Sequence, residues 1–329
     1  MLLDLISSTI PSSEPSSTPQ NKSEAHSRSS DTGHFDPEIR RFLDASIAAS
    51  TRRAYDGDVA HFVAWGGSIP APSETIARYL ADHAATLSMA TLCRRLAAIG
   101  RAHVLEGLAN PATTDLVRMV RRGIRRLYGR PQERVSALTK EHLVAIVSSL
   151  GNSTRDVRDR ALLLIGFAGA FRRSELIAID CKSIKRNPQG ISIRVCKSKT
   201  DQEGRGREIA IPRSGVPVCP VQALDAWLDR AKISEGPVFR PVTAKGGVLP
   251  RRLSSEAVAL IVKRRSTSIG LSAIRYSGHS LRAGFVTTAA VAGVPIWKIK
   301  AQTGHASETA LGRYIRNSQP FTEHASLVL

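Results

Sequence analysis

The sequence predicts a mainly α-helical protein with one small β-sheet, so that its larger domain belongs to the α+β class. Apolar residues recur at helical spacing through most of the chain, whereas residues 190–212 alternate with the period of a strand. The length of 329 residues exceeds what a single small core normally fills. Together these observations predict two domains rather than one.

The expected domain limits follow changes in composition. Residues 1–34 are rich in Ser, Pro and Thr with few apolar side chains, which predicts a disordered tail. Residues 35–127 form a helical N-terminal domain, and the Gly, Pro and charged residues of 128–136 mark a linker. Residues 137–329 then form a C-terminal domain, which holds the candidate catalytic residues.

Four amphipathic helices are predicted in the N-terminal domain, which makes it a small bundle. A candidate N-cap serine or a proline precedes each helix, at Ser50, Ser73, Ser88 and Pro111. Gly66 is expected to end the first helix, because glycine accepts the left-handed conformation found there. The fourth helix is expected to bury an apolar stripe of Leu116, Val120, Ile124 and Leu127.

The C-terminal domain is expected to open with a helix capped by Thr139, because Leu138 and Leu143 bracket this residue as a hydrophobic staple. Residues 160–171 are apolar on every side, which predicts a central buried helix. Charged residues follow this helix directly, beginning with Arg172. Charges at the end of a buried helix require partners, so the junction is a candidate site.

Residues 191–195 and 208–211 alternate between apolar and polar side chains, which predicts a β-hairpin or two strands of a small sheet. Lys199 lies in the loop between them, where a mobile ammonium group could reach a substrate. Further helices are expected at residues 223–228 and from Ser254 or Ser255 through Arg265.

The charge of the chain indicates an acidic partner. Its formal net charge is +19 and its sequence pI is near 10.6, values that favour nucleic acid over a metabolic substrate. A basic membrane-surface protein would share this charge, but the sequence has no apolar run of about 18 residues and no secretory leader. The four cysteines show no CxxC spacing, which is typical of reduced thiols. We therefore expect a cytoplasmic, DNA-associated protein.

Clustered arginines are the candidate DNA contacts. Like charges on one short helix repel each other, and a phosphate backbone would relieve that repulsion. Most of these arginines lie on the third and fourth predicted helices, and two lie in the C-terminal domain. The candidates are Arg94, Arg95, Arg118, Arg121, Arg122, Arg125, Arg126, Arg251 and Arg252.

The C-terminal part of the chain offers a distinctive set of reactive groups. His279 and Arg282 are three residues apart, so a helix places them on one face. His305 follows a glycine, and Tyr314 lies in a candidate last helix that opens at Ser307. A phenol is a weak nucleophile that needs an electrophile neutralised by cations, and a DNA phosphodiester fits this requirement. The set contains no carboxylate pair, no thiol and no convincing combination of metal ligands, so we expect neither a metal nor another cofactor.

The motifs in order resemble the tyrosine recombinase or phage integrase family, and their layout is most similar to Cre-type and Xer-type members. These motifs are AFRRSEL, SKT, HSLR, GH and RYIRN. The resemblance covers the chain apart from its tail. It implies a site-specific recombinase that clamps double-stranded DNA between two domains. It also implies a 3′-phosphotyrosyl intermediate, independence from metal and ATP, and a homotetramer on two paired DNA sites.

The resemblance implies a phosphate clamp made by two arginines. Arg172 and Arg282 would hold the two non-bridging oxygens of the scissile phosphate. Glu175 would keep Arg172 or His279 in place. Arg172 is chosen over Arg173 by its distance from Glu175, and a slip of one residue would exchange the two.

The resemblance also implies the proton transfers. Tyr314 would attack the phosphate, and Lys199 would protonate the departing 5′ oxygen. His279 would orient or deprotonate the nucleophile, and His305 would donate a hydrogen bond to a phosphate oxygen. Every role here is an expectation carried by the motif positions.

Two other classes of protein fit part of these features. A type IB topoisomerase uses the same chemical groups as a monomer, and a DNA-binding protein with a retired site would keep only the basic surface. In the family a C-terminal helix commonly docks on a neighbouring subunit. The apolar residues that could do so here are Ala325, Leu327, Val328 and Leu329, unless this short tail is disordered.

Overall fold

The structure is a computed structural model that describes residues 36–130, 135–196, 206–216, 218–305, 307 and 311–312. The chain divides into two compact units, Met1–Gln132 and Glu133–Leu329. Secondary structure in the described ranges is helical apart from one small antiparallel sheet. This finding confirms the predicted fold class.

The helices described in the first unit are α1 (Pro37–Ala45), α2 (Ala49–Trp65), α3 (Ser73–Asp82), α4 (Met89–Leu105) and α5 (Asp115–Tyr128). The Ser88 side chain accepts a hydrogen bond from the Thr91 amide and caps α4 as predicted, and Gly66 ends α2 in the left-handed region. Ser50 and Ser73 lie inside their helices rather than at the caps. The four predicted helices are α2 to α5, and α1 is an additional helix without a buried residue.

The core of the first unit lies between α2, α3, α4 and α5. The apolar stripe predicted for α5 was partly wrong. Val117 and Ile124 are buried, whereas Leu116 is 40% exposed and Leu127 is 80% exposed. Val117 and Ile124 are seven residues apart and so lie on one helix face, whereas Leu116 is turned about 100° away from Val117.

The helices described in the second unit are α6 (Lys140–Ser149), α7 (Thr154–Ala168), α8 (Arg173–Ile177), α9 (Pro220–Ala231), α10 (Ser255–Thr267), α11 (His279–Val291) and α12 (Ile296–Thr303). Helix α7 is the central element, because it is largely buried and packs against α9 and α11. It begins at a Ser153 cap, earlier than predicted, and ends before Phe171. Thr139 and Ser254 are the N-cap residues of α6 and α10.

The sheet contains β1 (Ile184–Asn187), β2 (Gly190–Val195) and β3 (Arg207–Pro212) in antiparallel order β1-β2-β3. Ile193 pairs with Ile209 and faces the core, which confirms the predicted strand pair. Strand β1 was not predicted, since most of its side chains are exposed and show no alternation.

None of the helices within the described residues combines the length and the apolar character that crossing a bilayer requires.

Candidate active site

The junction between α7 and α8 positions Arg172. Ala170 turns the chain with a positive φ of 49°, and Arg172 is the N-cap residue of α8. The buried Glu175 side chain turns back and accepts two hydrogen bonds from Arg172. Its Oε1 accepts from Arg172 Nη1 at 2.6 Å, and its Oε2 accepts from the Arg172 amide at 3.0 Å. Arg172 therefore contacts Glu175, whereas Arg173 is exposed.

A second arginine shares the same carboxylate. Arg207, the first residue of β3, donates from Nη2 to Oε2 of Glu175 at 2.8 Å. Burial lowers the pKa of Arg207, and the Glu175 carboxylate opposes that shift. Arg207 was absent from the residues predicted as functional. A signal for it exists in the sequence, because the period of a strand places position 207 on the same face as the buried Ile209 and Ile211.

Helix α11 brings His279 and Arg282 to this cluster. Arg282 is only 1% exposed and donates from Nη1 to the Ala170 carbonyl at 2.8 Å, so it is fixed to the turn before Arg172. Close packing holds the helix in place. A Cβ added at Gly284 would lie 1.8 Å from the Leu138 carbonyl oxygen, so only glycine permits this approach.

His305 follows α12, which ends at Gly304 with a positive φ of 64°. Its Nδ1 lies 2.7 Å from Thr303 Oγ1, and that hydroxyl donates to the Ile299 carbonyl at 2.8 Å. The Thr303 oxygen must therefore accept from Nδ1–H of His305. His305 Nε2 lies 3.2 Å from Arg282 Nη2 and accepts from it. These contacts select the neutral tautomer with the proton on Nδ1.

Both histidines are kept neutral by their surroundings. Burial lowers the pKa of His305 to about 4, with further contributions from the charges of Arg282 and Arg172. Partial burial also lowers the pKa of His279, and the charges of Arg282 and Arg172 act in the same direction. This residue is nevertheless exposed at the surface, so the lowering of its pKa is weaker evidence of a dry environment than that of His305. The cluster contains three positive guanidinium groups, those of Arg172, Arg207 and Arg282, and the negative carboxylate of Glu175. Because both imidazoles are neutral, its net charge is +2.

The structure thus joins four residues singled out in the sequence, Arg172, Glu175, Arg282 and His305, and adds Arg207. His279 lies at the first position of the helix that carries Arg282. Lys199 and Tyr314 lie outside the described residues, as does the predicted start of the last helix beyond Ser307. Their placement at the cluster stays a prediction.

The arginines predicted as DNA contacts on α4 are engaged within the first unit. Arg94 donates from Nε and Nη2 to Asp58 at 2.7 and 2.9 Å, and its side chain remains 51% exposed. The Arg95 side chain is 11% exposed and donates to the Tyr79 hydroxyl at 3.1 Å. It also lies 3.6 Å from Asp58. Arg95 therefore has a clear internal role, whereas Arg94 presents part of its side chain to solvent.

The arginines of α5 face outward to a greater extent. Arg118 pairs with Asp115 at 2.8 Å within the first turn of the helix and keeps 55% of its side chain exposed. Arg122, Arg125 and Arg126 are exposed, and Arg121 is half-buried. This helix therefore presents a basic surface that is separate from its buried Val117 and Ile124.

The two candidates in the second unit differ. Arg252 donates from Nη2 to Asp180 at 2.6 Å and from Nη1 to the Ile177 carbonyl, so it ties the end of α8 to the segment before α10. Arg251 is exposed. Of these two arginines, Arg252 thus has a visible internal structural role and Arg251 does not.

Comparison with known proteins gives a consistent result. The sequence model of the phage integrase family matches residues 136–320. The integrase/recombinase XerD homolog of Selenomonas ruminantium is 38% identical over 296 residues, which cover 87% of this chain and 87% of that protein. The recombinase Cre of Escherichia phage P1 is 26% identical over 268 residues, or 75% of this chain and 77% of that protein.

Solved structures show the same fold. A lambda integrase dimer bound to a COC′ core site superposes with a TM-score of 0.59 at 17% identity, covering 84% of this chain and 75% of that one. A post-cleavage complex of the XerH site-specific recombinase with a palindromic difH substrate gives a TM-score of 0.55 at 16% identity. That match covers 78% of this chain and 72% of the XerH chain.

Proposed function

This chain belongs to the phage integrase family, and we propose that it is a site-specific DNA recombinase that cuts and rejoins strands through a 3′-phosphotyrosyl link. One observation carries the proposal beyond the family match. Arg172, Arg282 and His305 come from three separate parts of the sequence and share one cluster whose net charge is positive. Such a cluster suits a reaction at a single phosphate.

The charge of the cluster matches the chemistry of phosphodiester attack. A phosphodiester carries one negative charge, and attack by a phenolate adds a second in the five-coordinate transition state. Arg172 and Arg282 supply donors that Glu175 and the Ala170 carbonyl already hold in place, so little reorganisation is needed when the charge develops. Each such preorganised donor contributes about 10²–10³ in rate.

The covalent step exchanges one phosphorus–oxygen bond for another. The Tyr314 oxygen forms a bond to phosphorus while the bond from phosphorus to the 5′ oxygen breaks. The phenol proton passes to a base, for which the neutral His279 is suited, and Lys199 supplies the proton that the 5′ oxygen takes. The phosphotyrosyl link retains the energy of the broken phosphodiester. A 5′ hydroxyl can therefore reverse the step on another strand without a nucleotide.

His305 has a conditional role in this scheme. Its Nε2 accepts from Arg282, so in the neutral tautomer it has no proton to donate there. A phosphate placed beside the imidazole would raise the pKa of His305, because an opposite charge favours the protonated ring. The protonated Nε2–H could then donate to a phosphate oxygen. The hydrogen bond expected from the sequence would thus form only with DNA bound.

We propose further that four subunits act on two paired sites of double-stranded DNA. Exchange between two duplexes breaks four strands, and each broken strand occupies one Tyr314 until it is rejoined. The second unit offers an apolar cavity of about 490 Å³ that suits contact between subunits, with walls that include Leu164, Phe167 and Phe285. The residues predicted to dock on a neighbour lie outside the described residues; they are Ala325, Leu327, Val328 and Leu329.

The exposed arginines of α5 are proposed as phosphate contacts. The outward position of Arg122, Arg125 and Arg126 supports this role, and Arg251 could add a contact from the second unit. Each phosphate neutralised should lower the logarithm of the binding constant by about 0.9 per tenfold rise in salt. Substituting one of these arginines should remove about one phosphate contact and make this slope less steep by the corresponding amount, about 0.9.

The test begins with the DNA site. The protein is incubated with a pool of random-sequence duplexes in the presence of a chelator, the reaction is stopped with SDS, and protein-linked DNA is sequenced. The recovered site is then built into a nicked duplex from which the cleaved 5′ end can diffuse away. We expect the wild-type protein to become linked to this duplex and Tyr314→Phe to remain unlinked.

Tyr128→Phe is the matched control, since it removes one phenol hydroxyl from an exposed position outside the cluster. Linkage that survives in Tyr314→Phe would overturn the assignment of the nucleophile. Failure of the wild-type protein to link to any duplex would support the non-catalytic alternative. Linkage without site preference, together with plasmid relaxation by a monomer, would support a topoisomerase.

A further inference from the structure

The geometry points to Arg207 as a positioning residue for the phosphate clamp, an inference that rests on the proposed function. Arg207 lies on β3, at a distance in sequence from both motifs that it contacts. It holds Glu175 on one side and lies against Gly304 on the other. One guanidinium group thus connects the segment of Arg172 to the turn that carries His305.

The first contact fixes the carboxylate that orients Arg172. Glu175 Oε1 accepts from Arg172 Nη1 at 2.6 Å, and Oε2 accepts from Arg207 Nη2 at 2.8 Å. A carboxylate held at both oxygens has a defined plane, and the guanidinium that it binds takes its orientation from that plane. Without Arg207, the hydrogen bond from the Arg172 amide is the one contact of Oε2 that would remain among the described residues. The plane of Glu175, and with it the direction of Arg172, would then be less well defined.

The second contact fixes the turn before His305. A Cβ added at Gly304 would lie 1.9 Å from Nη1 and 2.9 Å from Cζ of Arg207, so the guanidinium occupies the space directly beside this glycine. Gly304 also has a positive φ of 64°, which side chains rarely adopt. Gly304, the glycine of the GH motif, therefore provides both the backbone conformation of the turn and the space that Arg207 fills.

Arg207 is less completely paired than Arg265, an arginine of the same unit that joins two helices. Its Nε and Nη1 are buried and meet no hydrogen-bond partner in the part of the chain that the structure describes. Buried donors without partners oppose folding. By contrast, Arg265 pairs its Nε with Asp159 and its Nη2 with Asp156. A side chain retained in an unfavourable setting, in contact with both halves of the clamp, fits a role in positioning.

Single-turnover cleavage of the nicked duplex tests this role. We expect Arg207→Gln to slow formation of the covalent link by about 10- to 100-fold, because it displaces Arg172 rather than removing it. The equilibrium DNA affinity, measured in a Tyr314→Phe background, should change by less than about twofold. Arg207→Lys should restore part of the rate, since it keeps the charge but not the fork that holds Oε2. Arg186→Gln, which removes another Arg–carboxylate contact of the same sheet, should cleave at the wild-type rate.

A double-mutant cycle tests whether Arg207 acts through Glu175. If it does, the double variant should cleave the duplex at a rate within about twofold of the slower of the two single variants, Arg207→Gln and Glu175→Gln. Rate losses that multiply would overturn the positioning role, because they would show that the two residues act separately. Thermal unfolding of each variant shows whether the folded protein is being measured.

Two glycine variants give an independent test that leaves Arg207 in place. Gly304→Ala places a methyl group against the guanidinium, whereas Gly293→Ala adds one at a φ of 72° with no atom within 4 Å. Both variants carry similar backbone strain, and the overlap with Arg207 adds to the cost of Gly304→Ala. We expect both variants to lose thermal stability, Gly304→Ala the more, and we expect slower cleavage only for Gly304→Ala. Equal cleavage by both variants, or wild-type cleavage by Arg207→Gln, would overturn the inference. A wild-type protein that forms no covalent link would overturn the proposed function and this inference with it.

Discussion

Two buried carboxylates of the second unit are each shared by several arginines, yet the two clusters differ in how completely their donors are paired. Asp159 is fully buried on α7 and accepts hydrogen bonds from Arg158, Arg264 and Arg265. Glu175 on α8 is nearly as buried and accepts from Arg172 and Arg207. The chemical groups are the same, so the difference lies in their surroundings.

The Asp159 cluster joins two helices and leaves no buried nitrogen of its arginines without a partner in the described part of the chain. Arg264 and Arg265 come from α10, and Arg265 also pairs with Asp156 of α7 at 2.6 Å. In the Glu175 cluster, two donors of Arg207 have no partner among the residues that the structure describes. Complete pairing is typical of a structural junction. The unpaired donors of Arg207 lie in the cluster that we propose to hold a phosphate. The variants below test this distinction.

The largest effect on stability is expected from Asp159→Asn. This change leaves three guanidinium groups around a neutral amide, and breaking a buried ion pair by removing one partner costs about 3–5 kcal/mol. Urea unfolding measures the free energy of unfolding. Once folded, the variant should cleave the nicked duplex at close to the wild-type rate, because its defect lies in the junction of α7 and α10.

Asp225→Asn is the matched control for that variant. Asp225 also lies between two arginines, Arg186 and Arg213, but all three side chains are partly exposed. Water screens such pairs, so the expected loss is about 0–1 kcal/mol. Equal destabilisation by the two asparagine variants would contradict the idea that burial gives the Asp159 cluster its structural importance.

The opposite pattern is expected from Arg172→Gln. Loss of one preorganised donor to the phosphate should slow covalent cleavage by about 10²–10³-fold, as measured in a single turnover. The free energy of unfolding should change by about 1 kcal/mol or less, since Arg207 still neutralises Glu175. Arg173→Gln, at the exposed neighbouring position, should have a much smaller effect on the rate. A larger rate loss in Arg173→Gln would assign the clamp to the other member of the pair.

Much of the Glu175 cluster could be predicted because its motifs are local. The spacing in HSLR places Arg282 and His279 on one helix, and Glu175 three residues after Arg172 returns to the start of α8. The strand pair was also predictable, because alternation over residues 191–195 and 208–211 is a local property. Such patterns reflect the local structural preference of a segment, and in these segments the tertiary structure agrees with that preference.

The features that were missed or misassigned depend on tertiary contacts, which the spacing of residues in the sequence does not predict. Arg207 was missed because its partner, Glu175, lies 32 residues away and on a different element. The stripe of α5 was misassigned because Leu116 and Val117 are equally apolar, and only packing decides which of them faces the core. Arg95 was grouped with surface arginines for the same reason, since its internal partners lie on α2 and α3. The roles of Lys199 and Tyr314 stay predictions from the motif order.

The two clusters should also differ in how the stability of the protein responds to acid. The pKa of His305 is lowered to about 4 in the folded protein, against about 6.5 when unfolded, so between these values the unfolded state binds more protons. Stability should therefore fall as the pH falls from about 6.5 towards 4, and His305→Gln should show a shallower fall.

The Asp159 side of the comparison should respond at lower pH. Burial raises the pKa of Asp156, but hydrogen bonds from Ser153 and Arg265 outweigh burial and lower that pKa below its usual value. The stability that Asp156 contributes is thus retained until the pH falls below about 3.9, and it is then lost as the carboxylate is protonated. Urea unfolding between pH 7 and pH 3 compares wild type, His305→Gln and Asp156→Asn. The opposite result would be a loss of the pH dependence of the unfolding free energy above pH 4 in Asp156→Asn but not in His305→Gln. It would show that the Asp159 cluster, and not His305, causes the sensitivity to acid.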